Sequence, residues 1–199
     1  MNAVVDWVST NYIELIAASL GLIAISLQIK QNIWYWLVSI VMVSLYIYVY
    51  IQAKLYADMS LQIYFLVISF YGWYYWLYGN KKNKKKEATV SKINKKSYII
   101  ISLIAIVFFW GIAWILKSYT DSDIPYWDSF TTTLSFIATW MLARKYIENW
   151  LVWIVADFVS IGIYIYKGLY PTTVLFIVLT ILAFVGYSHW LKDLKNQKN

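Results

Sequence analysis

Asp157 places a carboxylate inside an otherwise apolar run that extends from Trp150 to Tyr166. At 1.5 Å per residue it lies about 10 Å along a helix from Trp150. An ionised group at that depth in a membrane is costly and calls for a protein partner or a water-filled cavity. Trp150, Trp153 and Asp157 stand at i, i+3 and i+7, one stripe of a helix. Tryptophan faces attract cations and stack on flat heterocycles, while a carboxylate supplies charge or hydrogen-bond acceptors. The stripe therefore suits a planar polar ring, including one with a positive charge. Two plainer roles compete: Trp150 as an interfacial anchor, and Asp157 as a neutral or paired residue bridging helices.

Other polar groups are sparse. Gln62 lies in an apolar segment, where an amide offers both donor and acceptor. Tyr46 and Tyr50 are spaced i and i+4 and stand either in packing or at a site. Ser39, Ser44, Ser135 and Thr139 more often close helix contacts or bond their own backbone than touch a ligand. Glu14 and Asp128 fall near helix starts, where a carboxylate complements the helix dipole. Cysteine is absent and His189 is the single histidine, which excludes thiolate chemistry and a histidine-rich metal site. Neither a metal nor a cofactor is expected. An intramembrane hydrolase would need paired carboxylates or a nucleophile beside a base, and Asp157 has no such neighbour at comparable depth. A retinal receptor would need a lysine in the middle of the last span, and Pro171 to Trp190 holds none. The chain is not expected to be an enzyme.

The elements that hold these residues must be membrane helices. The chain is 61% hydrophobic with a mean hydropathy of +0.57, more apolar surface than a soluble globule of 199 residues can hide. Apolar segments near the required span of about 20 residues cover 12–29, 33–52, 58–79, 97–116, 127–143, 149–166 and 170–191. Lipid leaves helices as the choice for such runs. The net charge of +7 does not point to nucleic acid, because eight lysines fall between Lys81 and Lys96. Lys30, those eight, Arg144, Lys145, Lys192, Lys195 and Lys198 make 14 of the 17 basic residues, and all fall on one side of the expected spans. Lys54, Lys117 and Lys167 fall on the other. The basic side is expected to be cytoplasmic, with the N-terminus outside and the C-terminus inside.

The first third of the chain maps onto the last third with a shift of 114 and no gap. Trp36, Leu37, Val38, Ile40 and Val41 recur as Trp150, Leu151, Val152, Ile154 and Val155. Tyr50, Gly72 and Trp76 likewise recur as Tyr164, Gly186 and Trp190. Each copy has three crossings, so a direct fusion would invert the second. An unpaired fourth helix restores its orientation. The expected fold is thus an all-α integral membrane protein of seven transmembrane helices in a 3+1+3 parallel-repeat arrangement of SWEET type. The divisions are a first repeat at 12–79, a lysine-rich cytoplasmic loop at 80–96, a linker helix at 97–116, a second repeat at 127–191 and a cytoplasmic tail at 192–199. The loop is expected to be a solvated linker, with binding of anionic lipid as the weaker alternative. Such duplicated halves characterise transporters, which hold a central site. The register breaks where Val43 answers Asp157, Phe176 answers Gln62 and Ser39 answers Trp153. An asymmetric ligand would be read at those positions.

Several segments carry a family likeness. Leu55-Tyr56-Ala57-Asp58 with Leu61-Gln62, and Tyr71-Gly72-Trp73-Tyr74, resemble the first half of the PnuC-type vitamin transporters. Trp127-Asp128-Ser129, Arg144-Lys145-Tyr146 and Glu148-Asn149-Trp150-Leu151-Val152-Trp153 resemble the second half. The likeness spans nearly all of residues 12–191. It implies uptake of nicotinamide riboside by facilitated diffusion, with trapping by phosphorylation, in a homotrimer of a bacterial-type inner membrane. It also implies substrate contacts at Trp150, Trp153 and Gln62. Asp157 departs from the asparagine of the riboside branch. That departure keeps thiamine, the substrate of a sister branch, as an alternative. A SWEET-type sugar carrier shares the architecture but fits the aromatic and carboxylate stripe less well.

Overall fold

The computed structural model describes residues 3–52, 56–79 and 87–197. Residues 80–86 with five of the loop lysines, Lys54, Lys198 and the side chain of Glu14 lie outside the described residues. Seven helices are described: α1 Ala3–Ile29, α2 Trp34–Gln52, α3 Tyr56–Tyr78, α4 Lys95–Tyr119, α5 Pro125–Ala143, α6 Asn149–Tyr166 and α7 Tyr170–Asn196. Four of them, α2, α4, α6 and α7, are long and apolar enough to cross a membrane. Tyrosines dilute α3 and threonines dilute α5, although both have lengths near that of a span. The apolar segments locate the helices well, but α1 begins earlier and α7 runs later than apolarity alone marks. Polar residues such as Lys192 and Lys195 are good enough helix formers to continue a turn already begun.

The chain forms two compact units, Met1–Ala88 and Thr89–Asn199. In the first, α2 packs on both α1 and α3. In the second, α4 packs on α5, α5 on α6 and α6 on α7.

The joint between α1 and α2 is built like the joint between α5 and α6. Gln31 and Lys145, 114 apart, both hold φ at 53°. Around them Gln31 N–H donates to Gln28 O and Asn32 N–H to Leu27 O, matched by Lys145 to Leu142 and Tyr146 to Met141. Tyr35 to Asn32 and Trp36 to Ile33 likewise match Asn149 to Tyr146 and Trp150 to Ile147. This is the Schellman ending, in which a left-handed residue folds the chain back onto the last helical carbonyls. A side-chain-bearing residue there costs about 1–2 kcal/mol, offset by the carbonyls it satisfies.

Both copies also fasten their second and third helices with one tryptophan knob. Trp36 and Trp150 are fully buried. Trp36 meets Trp76 edge-on at 5.3 Å, and Trp150 meets Trp190 edge-on at 5.6 Å. Gly72 and Gly186 supply the flat backbone on which those indoles lie.

The end of the lysine-rich loop is not solvated throughout. Ala88 donates its N–H to Trp76 O and is buried. Val90 is buried too, and Ser91 bridges Tyr146: Ser91 N–H donates to Lys145 O and Ile147 N–H to Ser91 O, each at 3.0 Å. Ile93 N–H reaches both carboxylate oxygens of Glu148, at 3.3 and 3.2 Å. This strap leads into α4, whose N-cap is Asn94, accepting from Ser97 N–H at 2.7 Å. The helix meets α5 through Ile101, packed with Ile137 and Met141, and through Phe108 against Phe136.

Candidate functional site

The second unit carries Trp150, Trp153 and Asp157 on α6. One face of that helix is buried, with Asn149, Trp150, Ala156, Asp157, Ser160 and Ile163. Leu151, Val155, Phe158 and Tyr166 lie on the exposed face. Trp150, Asp157 and Tyr164 are spaced by seven, near two full turns, so they share a stripe. Trp150 touches Gly186 and Trp190, and Tyr164 stacks obliquely on Phe176 at 5.0 Å. The stripe is therefore the seam with α7, and Asp157 stands at its middle. Its residue is 5% exposed. Among the described residues the carboxylate has no hydrogen-bond or ion-pair partner. A buried carboxylate left unpaired in a packed protein is expensive to keep.

Trp153 is half-buried, one turn before Asp157. Its partner by the repeat is Ser39, while Ala183 on α7 is the partner of Ser69. In the first unit Ser39 and Ser69 meet across the α2–α3 seam, with Oγ atoms 3.2 Å apart. Ser69 gives its proton to Phe65 O at 2.7 Å, which leaves Ser39 as the donor between them. Thus one copy closes this level of the seam with two small hydroxyls. The other has a large indole and an alanine at the same register. Trp150 differs from Trp153: at 1% exposure it is enclosed by packing, and its indole Nε1 has no acceptor.

The first unit carries Gln62, Tyr46 and Tyr50, all half-buried. Tyr46 and Tyr50 stack at 5.9 Å with planes 21° apart along α2. Gln62 sits on α3 at the register of Phe176. Ser44, Ser135 and Thr139 each bond a carbonyl four residues back, the local role that short hydroxyls take in apolar helices. Asp128 does not cap α5, whose N-cap is Ile124. It lies in the first turn, accepts from Ser122 Oγ at 2.6 Å and pairs with Lys167 at 3.7 Å. That pair ties the start of α5 to the end of α6. Sequence reasoning left Asn149 without a role of its own. It is wholly buried beside Trp150, its amide donates to Tyr146 O at 2.6 Å, and its Oδ1 has no partner. A polar residue adjoining a buried tryptophan at a helix start was the signal for it. Among the described residues no cluster of three metal-ligating side chains occurs.

Comparison with known proteins gives matches along nearly the whole chain. The family model described as nicotinamide mononucleotide transporter matches residues 11–192. The nicotinamide riboside transporter PnuC of Escherichia coli (strain K12) is 25% identical over 210 residues, covering 94% of this chain and 88% of its own. A protein of the same description from Neisseria mucosa is 22% identical over 199 residues, covering 93% of this chain and 74% of its own. A solved structure described as the crystal structure of the vitamin B3 transporter PnuC matches with a TM-score of 0.73 at 21% identity, over 97% of this chain and 86% of that one. At that identity the match establishes likeness of fold.

Proposed function

This chain belongs to the nicotinamide mononucleotide transporter family, and from that premise we propose that it carries nicotinamide riboside across the membrane. It is a multi-pass membrane protein of a transporter family, and its relatives in Escherichia coli and Neisseria mucosa are described as riboside transporters. Neither is described as a thiamine carrier, so the riboside is the substrate to test first.

The observation that carries the reading is Asp157: a buried carboxylate without a protein partner, one turn from a half-buried tryptophan. The nicotinamide ring of the riboside is flat and cationic. Trp153 offers it a π face, and Asp157 offers it a counter-charge and acceptors for the carboxamide N–H groups. Gln62, Tyr46 and Tyr50 are the further contacts assigned to the first repeat. Trp150 belongs to the site only in a state where the α6–α7 seam loosens, since packing encloses it here.

Transport runs by facilitated diffusion, and phosphorylation inside the cell holds the product there. The seven helices are read as seven crossings in a 3+1+3 parallel arrangement, N-terminus outside and C-terminus inside, with the unit assembled as a homotrimer. The recurrence of the joint and the tryptophan knob supports the duplication.

The test is calorimetric titration of purified protein with nicotinamide riboside and thiamine side by side. Tighter binding of the riboside is expected, and preference for thiamine would overturn the assignment. Uptake into liposomes without any ion gradient tests the diffusion mechanism. Light scattering of the detergent complex tests the trimer.

A further inference from the structure

Three exposed lysines stand together at the foot of α4: Lys92 on the strap, and Lys95 and Lys96 in the first helical turn. Their backbone is held in place. Ser91 and Ile93, on either side of Lys92, are bonded to Lys145, Ile147 and Glu148 of the α5–α6 joint. Asn94 then caps the helix that carries the other two. The first turn of α4 has no acidic residue. Of the nearby carboxylates, Glu148 keeps its charge while it accepts from Ile93 N–H and Glu87 is exposed, two against the three lysines. Positive charge therefore dominates this foot.

Directly along the helix from the lysines, Tyr98, Ile99, Ile100 and Leu103 are all exposed. Only 6% of the apolar stretch of α4 is buried within the chain. A cationic foot continuous with a greasy shaft matches one molecule in both its parts: an anionic head above two acyl chains. We propose that Lys92, Lys95 and Lys96 form a binding site for an anionic phospholipid, with its tails laid along the exposed face of α4. A solvated loop would offer charge without this geometry. Here the strap fixes the charges at one end of an apolar helix. The proposal does not depend on which vitamin the protein carries.

Native mass spectrometry of the full chain in micelles containing phosphatidylglycerol and phosphatidylcholine tests it. The wild type should retain phosphatidylglycerol selectively. The variant with Lys92→Gln, Lys95→Gln and Lys96→Gln should retain it about a hundredfold less. A companion with Lys81, Lys82, Lys84, Lys85 and Lys86 all changed to glutamine should bind as the wild type does. Retention unchanged in the first variant, or lost in the companion alone, would overturn the site. Raising salt on the wild type gives a check that needs no variant, because screening should release the lipid. Salt-insensitive retention counts against the proposal. So does displacement of the lipid by inorganic phosphate, which would show a site for free anions.

Discussion

Gly186 stands against the indole of Trp150 with no room for a side chain: a Cβ there would lie 2.5 Å from Cη2 of the ring. Gly72 has the same relation to Trp36. Each glycine is thus the flat half of a knob-and-groove contact that the duplication preserved. In an open helix, glycine to alanine gains about 1 kcal/mol. Here the added methyl must displace a fully buried ring, and overpacking costs about 1–3 kcal/mol. Gly186→Ala and Gly72→Ala should therefore each lower thermal stability in detergent. An unchanged or raised Tm would show that the seam yields easily.

Trp153→Ala and Asp157→Ala should each weaken riboside binding at least about tenfold, equivalent to 1.4 kcal/mol. Trp153→Ala should keep the wild-type Tm to within a few degrees, and Asp157→Ala should hold or raise it. Asp157 has no protein partner to strand, and Trp153 is only half-buried. Calorimetry that returns unchanged affinity for both would remove them from the site.

The strap makes a sharper structural prediction. Glu148 is the side-chain acceptor for Ile93 N–H, so Glu148→Ala leaves that donor without it at a cost of about 1–2 kcal/mol. Glu148→Gln keeps an acceptor oxygen and should cost less than half as much. Amide exchange at Ile93 is the measurement, and equal protection in wild type and the alanine variant would disprove the contact.

Across the first unit's seam, the Ser39–Ser69 bond should show as a coupling. Such interhelical bonds in membrane proteins are worth about 0.6 kcal/mol, and up to about 1.7. A double-mutant cycle of Ser39→Ala and Ser69→Ala, read by thermal unfolding, should return a value in that range. Strict additivity would mean the two hydroxyls merely lie close.

The helices were legible because apolar runs of membrane length have few alternatives, and the repeat was legible because Trp36, Gly72 and Trp76 recur as a set. The reason for their recurrence was not. A tryptophan at a helix start reads equally as an interfacial anchor, a binding face or a packing knob. The glycine 36 residues on, brought against its ring, gives Trp150 its packing role. The strap was also hidden. Apolarity along residues 88–93 is too slight to mark an element, although Ala88 and Val90 alternate with exposed Thr89 in the manner of a strand. The lysine run before it drew the reading toward solvent. At the site, the isolation of Asp157 in an apolar run was visible directly, and its lack of a partner could come only from the fold.

α4 has a consequence for how this chain can change. Most of its side chains answer to nothing inside the chain except membership of the apolar class. Ile101, Ala105, Phe108, Trp110 and Ala113 are positions committed to packing. Shuffling leucine, isoleucine, valine and phenylalanine among the rest would leave length, greasiness and the α5 contact intact. The same shuffle applied to α6 would strike a carboxylate, a knob and a joint within a few turns. The two helices therefore sit at opposite ends of mutational freedom: α4 is free to drift with the membrane around it, while α6 is bound to its present sequence.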